Sequence, residues 1–258
     1  MQYPKQEKKL LVRLMRYPGL INLLKHTRAM VCGGAINSVF SKRKICDYDI
    51  YFRNQTDCTE FQKGLLELHY KDTDLLAFES INETANASTY KCQIRPEMIV
   101  QVISAPEMFK DCPDGVFQLF DYTVCMGAYD FAINDFILHE KFLEDIEKKK
   151  LTFNAGTLFP ICSLYRSIKY QRRGYRLTGV STITMSLAIQ ALQMKNYHDL
   201  KRQLMGIDTL ILKDLTDKWS TGELADKEYD AQEAIKIIED YLAEKLGDKD
   251  VEAEDLDF

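Results

Sequence analysis

No stretch of this 258-residue chain approaches 18 consecutive uncharged apolar residues, which excludes a membrane-spanning helix. The opening residues, MQYPKQEKKLLVRLMRY, lack the apolar run and small-residue cleavage site of a secretion signal. Cysteine occurs seven times, at 32, 46, 58, 92, 112, 125 and 162, but never as a Cys-x-x-Cys pair. An odd, scattered set predicts reduced thiols in a cytoplasmic protein, not a disulfide framework or a zinc knuckle. Glycine (12) and proline (6) are too scarce for a fibrous or disordered chain. The four histidines (26, 69, 139 and 198) show no metal-ligand spacing.

What is present is the balance of a globular protein, with 46% hydrophobic and 28% charged residues. The length suits one large domain or two intimate ones. The net charge of −5 is unevenly spread. Residues Glu223–Phe258 hold 14 acidic and four basic side chains, a net −10, so the remainder carries +5. Between Lys148 and His198 there are nine basic residues and no acidic one. That asymmetry suits a polyanionic ligand, or a solvated basic face offset by an acidic tail.

Leucines at helical spacing over residues 5–30 predict helix, interrupted at Pro18-Gly19. A short apolar run, Ala29–Cys32, meets Gly33-Gly34, and Asp47–Phe52 alternates as a half-buried strand does. Residues 57–70 predict a helix capped by Asp57 or Thr59. Strands are expected at 75–80, 87–94 and 98–104, and mainly helix from Pro106 onward. On the helix starting at Pro160, Ile161, Leu164, Tyr165 and Ile168 mark an apolar stripe, and Arg166, Lys169 and Arg173 share another face. The expected fold is α+β: a small mixed-sheet domain (1–135), a helical basic domain (136–246) and an acidic tail (247–258).

The sharpest chemical signal is Gly33-Gly34 followed, after twelve residues, by Asp47-x-Asp49. Carboxylates at i and i+2 of a strand share a face. Like charges that close persist mainly with a cation between them. Hard oxygen ligands of this kind suit Mg²⁺, with substrate phosphates completing its shell. A Gly-Gly turn lets backbone N–H groups approach a phosphate, and Ser38 adds a hydroxyl. Together these features point to phosphoryl or nucleotidyl transfer, with Asp47 and Asp49 catalytic and metal-binding and Gly33, Gly34 and Ser38 around the phosphates.

In order and spacing, VCGGAINSVFSKRKICDYDIYF resembles the nucleotidyltransferase superfamily that includes DNA polymerase beta. FDYTVCMGAYDFAI, FLEDIEKKKLTF and PICSLYRSIKYQRRGY extend the resemblance, over about residues 30–178, to the head and neck domains of tRNA CCA-adding enzymes and bacterial poly(A) polymerases. The resemblance implies nucleotide binding by Asp121, Arg166 and Lys169, with Arg172 and Arg173 as further RNA or phosphate contacts. It also marks departures. Leu119 and Phe120 stand where that family has two arginines, and Gln101 where many superfamily members have a third carboxylate. Phe159, Pro160 and Ser163 replace its base-reading Glu, Asp and Arg. The implied activity is Mg²⁺-dependent transfer from an NTP, ATP among the candidates, to an RNA 3′ end, as in tRNA processing. Two alternatives stand beside it: transfer to a protein hydroxyl, and a catalytically silent binding or assembly module. Tyr170 and Tyr175, beside Arg172-Arg173, are candidates for stacking on a base.

Overall fold

The computed structural model describes residues 3–17, 19–70, 74–84, 86–204 and 227–246. Trp219, Pro18 and the acidic tail at 247–258 lie outside the described residues. The chain divides into two compact units, Met1–Gly156 and Thr157–Phe258.

The first unit opens with α1 (Pro4–Leu14) and α2 (Leu20–His26). It then alternates strand and helix: β1 (Met30–Cys32), α3 (Gly34–Phe40), β2 (Asp47–Tyr51) and α4 (Gln55–Leu66). There follow β3 (Phe78–Glu83), β4 (Ala87–Cys92), β5 (Ile99–Ile103) and the short α5 (Pro113–Phe117). The strands β6 (Gly127–Asp130) and β7 (Asp135–Leu138) precede α6 (Phe142–Glu147). All seven strands form one mixed sheet in the order β3-β4-β5-β2-β1-β6-β7. β2 pairs in parallel with β5, and the other pairs are antiparallel. A parallel pair needs a crossover, which α4 and the β3–β4 hairpin provide. The α+β expectation is therefore met.

Alternation along β2 decides what each face carries. Tyr48 and Ile50 are buried on one side, while Asp47, Asp49 and Tyr51 point to the other. α3 packs on β1, β2 and β6. A Cβ at Gly127 would come within 2.8 Å of Phe142 and 2.9 Å of Ile36, so this position must be bare where α3 and α6 meet the sheet. On the face that carries Tyr51, a buried cluster joins Met30, Cys32 and Ala128 to Val116 and Phe117 of α5.

Several local expectations change. The strands β6 and β7 were not foreseen, because GAYD is buried at all four positions and shows no alternation. They and α6 extend the first unit beyond residue 135, where the sequence put its division. α4 starts earlier than expected, and its cap is Asn54, whose Oδ1 accepts the Asp57 N–H at 2.8 Å.

The second unit contains α7 (Pro160–Arg172), α8 (Gly179–Gln190), α9 (Tyr197–Leu204) and α10 (Ala231–Leu246). Tyr197, Leu200, Ala234 and Tyr241 form its buried core, with Ile161 against it. The apolar stripe expected on α7 is only partly inward. Leu164 and Ile168 are 48% and 39% exposed, while Ser163 and Ser167 are buried. Those two hydroxyls donate to the carbonyls of Phe159 (3.0 Å) and Leu164 (2.6 Å), which satisfies them inside the helix. No described helix is long and apolar enough to cross a membrane.

Candidate functional site

β1 lies inside the sheet between β2 and β6, all three residues buried, and delivers the chain to Gly33. Gly33 turns with φ 73° and ψ −129°, a conformation costly for any side chain with a Cβ. Its N–H donates to the Gly127 carbonyl and its own carbonyl accepts the Asn37 N–H, both at 3.0 Å. The buried Asn37 amide donates to the Val124 carbonyl at 2.8 Å and so anchors the first turn of α3. A Cβ at Gly33 would stand 3.4 Å from Asp49 Oδ2 and 3.9 Å from Phe120 Cζ. A Cβ at Gly34 would meet nothing within 4 Å, so the space above that residue is open.

Register sets the carboxylates beside this turn. Asp49 pairs with Cys32 of β1 on one side and with Gln101 of β5 on the other, and Gln101 pairs with Thr89 of β4. Paired residues share a face, so Asp49, Gln101 and Thr89 form a half-buried polar row. Asp47, also half-buried, lies on the same face two residues earlier. The buried Cys32 thiol is pushed well above its ordinary pKa, first by desolvation and then by the Asp49 carboxylate.

Among the described residues, no group of three or more His, Cys, Asp or Glu is placed to hold a metal ion. The site offers a carboxylate pair. Two oxygen ligands on one face, beside a turn that a Cβ would fill, fit Mg²⁺ that draws its remaining ligands from phosphates and water.

The other predicted residues fall in separate places. Ser38 is half-buried one turn along α3, and its carbonyl accepts from Arg43 N–H (2.8 Å) and Lys9 Nζ (3.3 Å). Asp121 is buried, 4% exposed. Arg166, Lys169, Arg172 and Arg173 all belong to the α7 segment of the second unit, with Arg166 and Arg172 the most exposed. Arg173 lies 5.8 Å from the ring centre of Tyr170. Tyr170 and Tyr175 pack edge to face at 5.6 Å and are 7% and 2% exposed. They are core residues, and stacking on a base is not open to them.

Asn154 escaped the sequence reading. Its Nδ2 donates to the carbonyls of Phe120 (2.8 Å), Gln118 (3.0 Å) and Phe117 (3.4 Å), and its N–H donates to the Asp121 carbonyl (2.8 Å). One residue thus holds the turn that carries Phe120, across a separation of more than 30 residues that leaves no local signal. Asn154→Ala is expected to cost about 1–2 kcal/mol of stability, read by denaturant unfolding, because the freed carbonyls lose their shared donor.

Residues 4–149 match the family model described as Gabija anti-defense 2 family protein. The "Gabija anti-defense 2" protein of Bacillus phage SPbetaL7 is 32% identical over 252 residues. That alignment covers 95% of this chain and 58% of the phage protein, so the chain spans little more than half of that relative. Similar solved structures include a CCA-adding enzyme in apo form I, with TM-score 0.55, 15% identity, and coverage of 94% of this chain and 62% of that one. A CCA-adding enzyme complexed with ATP gives TM-score 0.55 at 14% identity, covering 94% of this chain and 63% of that one. The Thermotoga maritima CCA-adding enzyme complexed with tRNA gives 0.51 at 12% identity, covering 95% and 57%. At such identities the likeness shows the fold alone, which is nucleotidyltransferase-like. The sequence resemblance to CCA-adding enzymes thus holds at the level of the fold, and the family it left unnamed is now given. The chain belongs to the Gabija anti-defense 2 family.

Proposed function

We propose that this protein transfers a nucleotide from an NTP to an acceptor, and that the transfer counters the defence denoted by its family's description. The observation that carries this reading is the 3.4 Å separation between the Cβ position of Gly33 and Asp49 Oδ2, with open space over Gly34. A backbone turn able to admit a polyphosphate borders a carboxylate that shares its face with a second one.

Asp47 and Asp49 would hold Mg²⁺, which when bound would supply neutralisation of triphosphate charge and favour the ionised form of the attacking hydroxyl. The N–H of the half-buried Gly34, without an i−4 partner in the first turn of α3, faces the phosphates, and Ser38 adds a hydroxyl. The acceptor oxygen attacks the α-phosphorus in line. The bond from that phosphorus to the β-phosphate oxygen breaks, pyrophosphate leaves, and the hydroxyl proton passes to water. The chain supplies positioning and fixed charge rather than a covalent intermediate. Arg166, Lys169, Arg172 and Arg173 offer the second unit's contacts to a polyanion.

An RNA 3′ end is the acceptor that the basic α7 face favours. Transfer to a hydroxyl of a defence protein is the second reading, favoured by the family description. The test incubates the whole chain with each α-labelled NTP, Mg²⁺ and either cellular RNA or the Gabija proteins. Label that is lost to ribonuclease identifies RNA, and label lost to protease identifies protein. No transfer from any NTP to either acceptor contradicts the proposal and leaves a catalytically silent binding module.

A further inference from the structure

We propose that Phe120 is the nucleoside-contacting wall of this site, with its ring taking the uncharged base-and-ribose portion of the NTP whose phosphates face Gly34. The inference rests on the nucleotidyl-transfer reading and adds to it how the substrate is oriented.

Three observations carry it. The first is position. The Cβ point of Gly33 lies 3.4 Å from the Asp49 carboxylate and 3.9 Å from the tip of the Phe120 ring, so both side chains border the same turn. The second is uneven burial. Phe117, three residues earlier, is fully enclosed, whereas Phe120 is half-buried at the margin of the same cluster. It meets Tyr51 edge to face at 5.7 Å and Phe117 at 6.2 Å, and part of its surface stays exposed. The third is rigidity. The Asn154 side chain binds the carbonyl of Phe120 and those of two residues before it, and the Asn154 N–H binds the one after it. A ring held on both flanks loses little freedom when a ligand covers it.

Chemistry then selects the ligand. A phenyl ring has no hydrogen-bond donor, so it cannot compensate a phosphate for lost water. It does offer a π face and apolar surface, which suit a base or the carbon face of a ribose. With phosphates drawn to the metal and the Gly34 turn, the neutral end of the same molecule is what remains to lie against Phe120. Base stacking tolerates every base, so this wall orients the nucleotide without choosing among the four.

The test is equilibrium binding, measured by titration calorimetry on the whole chain with Mg²⁺ and either ATP or inorganic tripolyphosphate. Phe120→Ala is expected to weaken ATP binding about tenfold or more and to leave tripolyphosphate binding within about twofold. Phe120→Tyr keeps the ring and restores ATP affinity, and Phe120→Leu, which preserves apolar volume and folding, falls between. Thermal unfolding of each variant checks the fold. Asp47→Ala/Asp49→Ala is expected to weaken both ligands. If Phe120→Ala weakens both ligands equally, or neither, while the aspartate variant weakens both, Phe120 is no nucleoside wall and the transfer reading survives. If the unaltered chain binds neither ligand, the transfer reading fails and this inference falls with it.

Discussion

Asp47→Ala/Asp49→Ala is expected to abolish the proposed nucleotide transfer, by on the order of 10³-fold or more, without lowering thermal stability. Both carboxylates are half-buried on the open part of the sheet face, outside the apolar cluster formed by Met30, Cys32, Tyr51 and α5. Removing them creates no core cavity. It also relieves repulsion between two like charges on one strand face, so the melting temperature is expected to stay constant or rise slightly. Catalysis responds in the opposite direction. Losing a single preorganised electrostatic group typically costs about 10²–10³ in rate, and this change removes every protein ligand proposed for the metal. The two readouts separate a functional pair from a structural one. A pair that stabilised the fold would take the melting temperature down with the activity. Label transfer from an α-labelled NTP and differential scanning fluorimetry on the same preparations decide the matter.

Glycine replacements at the turn give the second large effect, and the two positions differ in sign. Gly33→Ala forces a Cβ onto a backbone at φ 73° and ψ −129°, and places a methyl 3.4 Å from Asp49 Oδ2. The expected cost is about 2 kcal/mol, or a fall in melting temperature of roughly 4–8 °C. Transfer falls too, since the turn and the carboxylate can no longer keep their spacing. Gly34 does not share the positive φ, begins α3 and faces open space. Gly34→Ala should therefore be neutral or stabilising by up to about 1 kcal/mol, because alanine loses less backbone entropy on folding. If phosphates occupy the space above it, the same methyl lowers NTP affinity about tenfold by steric exclusion. Stability and affinity moving apart at Gly34 would mark the turn as a binding surface. Affinity unchanged in Gly34→Ala would place the phosphates elsewhere.

Local, periodic features were the ones legible in the sequence. Asp47 and Asp49 read correctly as one face of a strand because β-structure repeats every two residues, and Gly33-Gly34 read as a turn because glycine marks unusual φ. The same rules failed where burial is two-sided or where polar groups satisfy themselves. GAYD carries no alternation because its strand is covered on both faces. Ser163 and Ser167 look like a solvent face, yet hydroxyl bonds to their own helix let them be buried while Leu164 and Ile168 stay exposed. Tyr170 and Tyr175 have the composition of a stacking surface, but they pack on each other in the second unit's interior.

Long-range geometry was the least accessible. Phe120 reads in sequence as a departure from a family pattern, and nothing near it in the chain places its ring beside Gly33, 87 residues upstream. Asn154 reads as an ordinary loop residue, although its side-chain amide and its N–H together bind the carbonyls of Phe117, Gln118, Phe120 and Asp121. Gln101 was recognised by position alone. The parallel β2–β5 register then puts it beside Asp49, which explains why the site has a carboxylate pair flanked by a neutral amide.

A crystal structure of the whole chain with Mg²⁺ and a non-hydrolysable NTP analogue tests the central claim most directly. The expected result is one oxygen from each of Asp47 and Asp49 at about 2.0–2.1 Å from the metal, with the triphosphate above Gly34. A nucleotide bound elsewhere, or a metal that touches neither aspartate, would contradict it.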